Sequence, residues 1–357
     1  MSTRAVAFAT LPTPVRQSSI TLLYLVVALI IFAMWVWSAE TVHTSLNGDP
    51  RSKLSDLIHG RAHNPFVQRA LVPLLTRAVH QILPATLTGD LELYLFSIPK
   101  VKKEMLRLGW EEEYFVESLV ALSWAFIALA AFPFAVQALW KAIYSTSEFV
   151  TAMVPVIALL SLPPFFHVGT HYVYDFPSLF LFTAVLVCVV RRAWWLSYIP
   201  FLLGCLNKET IIFASLTGII LYWHDRERTR MARHVAVQFL LFIVVKLMLM
   251  QVFSGNPGTS AEFALYANIH QLLLGYDAVP LTMTATLVGL IGYRFRTKPV
   301  VLQKLLWLAL PFFLLLMLFG RIGELRVMYE IVPVVLFLIL HTLFFDVFKF
   351  RYAPVEP

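Results

Sequence analysis

Two cysteines in 357 residues leave no room for a disulfide framework, and both, Cys188 and Cys205, fall inside apolar stretches, so no cysteine-based metal site is implied. Charged residues supply only 14% of the chain, against roughly 25% in soluble domains. A glycine-rich phosphate loop, a nucleophile elbow, an internal repeat and a low-complexity tract are all absent. These absences remove the common soluble-enzyme chemistries and the solenoid folds. The formal net charge is +7, yet no basic stripe interleaved with aromatics lies outside short loops, so nucleic acid is not an expected partner.

What the chain has is apolar surface. Hydrophobic residues make up 59% of it and the mean hydropathy is +0.75, whereas soluble domains hold roughly 45–50% apolar residues. The expectation is an all-α, polytopic integral membrane protein. A run of about 17–25 apolar residues crosses a bilayer as a helix. Eight runs qualify: 20–38, 115–139, 149–166, 174–190, 234–253, 278–293, 300–319 and 327–345. The first of these exits through "VWSAE", which puts Trp37 where a cleavage site wants a small residue, and reads as a retained signal anchor.

The stretch 193–223 would be roughly 46 Å long as one helix, against a hydrocarbon core of about 30 Å. It is too long for one span and short for two. Basic residues collect at Arg191/Arg192, at Arg226, Arg228, Arg230 and Arg233, at Arg294, Arg296 and Lys298, and at Lys349 and Arg351, and such loops face the cytoplasm. If Arg191/Arg192 and the Arg226 group share a side, 193–223 must go out and return as a short-helix hairpin with "NKET" at its turn. Residues 1–357 then form one transmembrane domain of about ten helices with both termini cytoplasmic.

In this topology the largest extracytoplasmic loop is 40–114, with an amphipathic helix at about 65–83: Phe66, Val67, Ala70, Leu71, Leu74, Leu75 and Val79 share one face, Asn64 is placed to cap it and Pro65 opens it. The outer segments carry mixed charge, and a charge within a bilayer costs at least about 2.5–3.5 kcal/mol unless it faces protein or water. Lys208 and Glu209 therefore serve either a polar site or a structural ion pair. His59 and His63 are four apart, but Gly60 and the lack of a third ligand favour a solvated loop over a metal site. Asp175 is a site carboxylate or a first-turn helix carboxylate. Arg321, Glu324, Arg326 and Glu330 are either site residues or an interfacial ladder.

The acidic first loop, "PFVQRALVPLL", "YDFPSLFLF", the "NKET" hairpin and a late "ELR" together resemble the GT-C-type, polyprenyl-phosphate-dependent membrane glycosyltransferases, especially poorly characterised bacterial members. The likeness runs over most of 49–333 as short motifs and topology. It implies a polyprenyl-phosphate-linked sugar as donor, a glycan, lipid or protein as acceptor, and a bacterial cytoplasmic (inner) membrane. It also implies a catalytic carboxylate in the first outer loop. Asp56 is the best match, with Glu40 and Asp49 as alternatives, because the paired acidic signature of that loop is not clearly present here.

The chemistry fits the residue inventory. A carboxylate takes the acceptor's hydroxyl proton, and cations stabilise the departing phosphate. Asp56 would be the base, Arg69, Lys208, Arg321 and Arg326 the cations, and Glu209 and Glu324 their partners or sugar ligands, with His171, Asp175 and Asn207 completing the substrate site. No cofactor is required, although Asp56 with His59 or His63 could help to hold a divalent cation. A secondary transporter, or a flippase or assembly subunit, needs a polar cavity without a base; against the transporter stand the missing inverted repeat and charges gathered at the outer side.

Overall fold

The computed structural model describes residues 13–38, 46–47, 49–107, 109–166, 171–224, 226–259, 263–275, 278–320, 322 and 325–354. Among them the chain is almost entirely helical. In order come α1 (Thr13–Ser38), α2 (Leu54–Ile58), α3 (Leu71–Ile82), α4 (Ala85–Ser97), α5 (Pro99–Arg107), α6 (Phe115–Ile143), α7 (Glu148–Leu160) and α8 (Asp175–Val190). There follow α9 (Tyr198–Asn207), α10 (Ile212–Tyr222), α11 (Arg228–Val252), α12 (Leu265–Leu274), α13 (Ala278–Gly292), α14 (Val300–Leu305), α15 (Ala309–Phe319) and α16 (Val332–His341). Two-residue strands β1 (Tyr144–Ser145) and β2 (Ala353–Pro354) pair antiparallel.

Among the described residues, six helices are long and apolar enough to cross a membrane: Gln17–Ser38, Glu112–Ile143, Glu148–Phe165, Arg228–Val252, Val300–Phe319 and Arg326–Val347. That is the pattern of a helical integral membrane protein. Four shorter apolar helices accompany them, Asp175–Val190, Tyr198–Asn207, Glu209–Tyr222 and Leu281–Gly292. α6 is the hub. It packs on α1, α3, α7 and α8, and its buried Ala121, Ala125 and Ala128 recur at helical spacing, which lets neighbouring backbones approach closely.

The hairpin forms as its length requires. Trp194, before α9, packs its ring 5.4 Å from Tyr222 at the end of α10, and the Tyr222 hydroxyl donates to the Val189 and Val190 carbonyls. The two ends of 193–223 therefore meet, and the turn lies at the far end of arms about 15 Å and 21 Å long at about 1.5 Å per residue. The turn is tight. Lys208 is extended, with φ −158° and ψ 142°, and Gly204 is pressed against Ile211.

The basic loops gather at one end of the bundle. Arg192 lies 4.0 Å from Glu227 and over the Tyr222 ring, Lys304 donates to the Leu221 carbonyl, Arg294 pairs with Asp346 at 3.1 Å, and β2 joins β1 after α6. Tyr24, midway along α1, donates to the Ala152 carbonyl in the first half of α7. At the opposite end stand the loop after α1, the start of α8 and the close of α11.

The first loop differs from the single 65–83 helix that the spacing predicts. A 3-10 turn, Phe66–Gln68, precedes α3, and the helical run is broken at Arg69, whose φ of −86° and ψ of 67° turn it inward. Asn64 caps nothing. Its amide donates to the Phe253 and Asn256 carbonyls, while Asn256 donates back to the Gly60 and Ala62 carbonyls, so the loop is laced to the end of α11. Gly258 closes this lacing: its φ is +98°, and a Cβ there would come within 2.6 Å of the Asn64 carbonyl oxygen. Leu71, Val72, Pro73 and Thr76 are buried and α3 packs against α6, whereas Leu74 is exposed.

Candidate functional site

A buried cluster of charges forms where the hairpin turn meets the first loop and α11. Glu209 receives the Arg69 guanidinium at 2.9 Å and the Lys246 ammonium at 3.6 Å. Lys208 turns the other way. It meets Glu330 at 3.1 Å, and the same carboxylate oxygen accepts from the Thr210 hydroxyl at 2.6 Å. Arg326 completes the set, 3.5 Å from Asp175 in the first turn of α8. Among the described residues, four cations thus stand against three carboxylates. A small void lies beside Lys208, Glu330, Ser178 and Thr210, with room for about one water.

Aromatic rings bind the cluster together. Tyr172 and Tyr174 stack with centroids 4.8 Å apart; Arg69 lies 4.5 Å over Tyr174, and Arg326 lies 4.2 Å over Tyr172. Arg69 also donates to the Tyr174 hydroxyl, and Phe66 stacks on Tyr172. Each guanidinium thus pairs with a carboxylate and lies over a ring face, a combination that suits a planar guanidinium better than an ammonium. Burial works against the charge on Arg69, but the adjacent Glu209 outweighs it, so this guanidinium holds its proton more firmly than usual. Its Nε has no hydrogen-bond partner among the described residues.

Of the residues singled out in the sequence, Arg69, Asp175, Lys208, Glu209 and Arg326 are brought together. Asn207 supports them: its amide donates to the Tyr174 carbonyl and the Ser178 hydroxyl, tying the end of α9 to α8. His171 is buried against Trp35, and its Nε2 is 3.2 Å from the Ser38 hydroxyl. Arg321, Glu324 and the alternative base Glu40 lie outside the described residues. Asp56 takes no part in the ion pairs of this cluster and pairs with Arg61 at 3.2 Å, and Asp49 is paired with Arg51 at 3.1 Å. The loop of Asp56 reaches the aromatic stack through Phe66.

Four residues escaped the sequence reading, three in the cluster and one beside it. Lys246 is the lone Lys, Arg, Asp or Glu within α11 beyond Arg233, and a charge in mid-span was its available signal. Tyr172 and Tyr174 flank Val173 in "HYVYD", which reads as the mouth of a span. Glu117, buried in the first turn of α6, takes His59 at 2.8 Å and His80 at 3.9 Å. His59 is thereby committed to a carboxylate. Among the described residues no group of three His, Cys, Asp or Glu could hold a metal ion.

No protein-family model matches this chain. Neither a curated protein nor a solved structure matches it.

Proposed function

We propose that the chain is a GT-C-type glycosyltransferase that moves a sugar from a polyprenyl-phosphate donor to an acceptor at the outer face of the membrane. The observation that supports this best is the excess, among the described residues, of largely buried cations over carboxylates in the cluster of Arg69, Lys208, Lys246 and Arg326. A net positive site sheltered from water favours an anionic ligand, and its fixed charges act where charge develops on a departing phosphate. Tyr172 and Tyr174 hold two of those cations in position.

The acceptor hydroxyl attacks the anomeric carbon as the bond to the phosphate oxygen breaks, with inversion. Asp56 takes the hydroxyl proton, and the bonding pair leaves with the polyprenyl phosphate, which the cations receive. Ten helices, counting the four short ones, are arranged with the basic loops and both termini in the cytoplasm of a bacterial inner membrane. The donor's lipid tail stays in the bilayer.

The test is transfer from a radiolabelled polyprenyl-phosphate sugar in membranes containing the protein. Wild type should form labelled product. Asp56→Asn should cut turnover by about 100-fold or more, with donor binding kept, since only proton transfer is lost. Full activity in Asp56→Asn would remove Asp56 as base and pass the role to Asp49 or Glu40. One observation favours a transporter as second reading: the break at Lys208 lies inside an apolar hairpin, next to the Glu209 that pairs with Lys246, as in discontinuous transporter helices. Solute uptake into vesicles without any sugar transfer would select that reading.

A further inference from the structure

A second polar site lies at the basic end, away from the charge cluster. A cavity of about 330 Å³ opens between the end of α10, the loop leading into α14 and strand β2. Tyr222, Val300 and Tyr352 supply apolar and aromatic wall. Among the described residues its lining includes Lys298 and Lys304 and no carboxylate-bearing residue.

The two lysines differ in what they can still offer. Lys298 turns its three protons inward, to the Leu290 and Leu338 carbonyls and the Thr342 hydroxyl. Lys304 makes one such bond, to the Leu221 carbonyl at 3.0 Å, which leaves two N–H donors. Neither takes part in an ion pair among the described residues. Burial pushes the Lys298 ammonium down to about 8, against the pull of Asp346, and an anion in the cavity would favour its charged form further.

The level of the cavity identifies the anion. Trp223, next to the lining Tyr222, and Tyr293 are both strongly exposed at helix ends, where such rings mark the membrane–water boundary. Val300, on the cavity wall, is 62% exposed and so reaches the lipid-facing surface of the bundle. Lipid phosphates lie at this level.

We propose that this cavity binds the phosphodiester headgroup of an anionic phospholipid, with Lys304 contacting the phosphate and the acyl chains leaving past Val300. The site is independent of sugar transfer. Basic recesses between membrane helices select anionic headgroups by this charge, at about 1 kcal/mol per lysine, or roughly five-fold in affinity.

The full chain, purified in a neutral detergent, would be titrated with phosphatidylglycerol, with phosphatidylcholine and with inorganic phosphate, reading retained lipid by native mass spectrometry and the thermal midpoint. Phosphatidylglycerol should be retained and raise the midpoint, and phosphatidylcholine should not. Lys304→Gln should weaken retention about five-fold or more, and Lys304→Arg should keep it. Val300→Trp, which narrows the mouth and leaves the ammonium in place, should weaken it too; this variant carries the test if Lys304→Gln does not fold. Equal retention of the two lipids, or unchanged retention in Lys304→Gln and Val300→Trp, overturns the proposal. Inorganic phosphate that displaces the lipid completely at equal concentration also overturns it, by assigning the cavity to a soluble phosphate compound.

Discussion

At the scale of the residue, Lys208 and Glu209 show why neighbours in sequence need not be partners in space. The backbone is extended at Lys208, so consecutive side chains diverge, and each finds its counter-charge on a different element: Glu330 for Lys208, Arg69 and Lys246 for Glu209. The Lys208–Glu330 pair has side chains 9% and 1% exposed, so little solvent screens it. Lys208→Met or Glu330→Gln alone strands a buried charge, and removing one member of such a pair costs about 3–5 kcal/mol. Each single variant should show a clearly lowered thermal midpoint in detergent, and the double variant should recover most of it. A single variant as stable as wild type would mean that the pair does not hold the fold. Transfer assayed in the recovered double variant then separates chemistry from support: a folded but inactive protein puts the pair in the reaction. The charges themselves were legible, because a carboxylate or ammonium in an apolar run has to be explained. Their pairing was not, since it depends on which helices pack together.

At the scale of the element, length decides more than propensity. The arms of the hairpin were legible because one helix of that length overruns the bilayer, and its closure follows from Trp194, Tyr222 and His234 meeting where the arms end. The first loop was less legible. Its apolar spacing describes a helix well, but Arg69 leaves helical geometry to reach Glu209 and Tyr174, a tertiary demand that local periodicity does not carry. Gly204 supplies a sharp test of the hairpin. A Cβ there would lie 2.5 Å from Ile211 Cγ1 and 2.8 Å from its Cδ1. Gly204→Ala should therefore destabilise by about 1–3 kcal/mol through overpacking, and adding Ile211→Ala, which removes both atoms, should relieve the clash at the cost of a cavity. The measurement is the thermal midpoint of the single and double variants. A midpoint for Gly204→Ala equal to wild type would show that the arms do not approach this closely.

At the scale of the whole molecule, the separation of charge was written in the sequence as basic clusters between apolar runs, and the bundle brings those clusters to one end. The proposed orientation, with the basic end in the cytoplasm, rests on the tendency of Lys- and Arg-rich loops to stay on that side. The fold makes this testable, because α6, with 29 residues, is about 43 Å long at about 1.5 Å per residue and exceeds a hydrocarbon core of about 30 Å. Its two ends must emerge on opposite faces if it spans. Arg230 is exposed among the basic loops, and Arg51 is partly exposed in the first loop. With only Cys188 and Cys205 to replace by alanine, single cysteines can be introduced at either position. Arg51→Cys should react with a membrane-impermeant maleimide in intact cells, and Arg230→Cys should react only in inverted vesicles. Labelling of both from the same face would place the charge cluster and the basic loops on one side of the membrane. That result would leave the bundle intact and end the case for a site that receives its sugar from a lipid carrier on the outer surface.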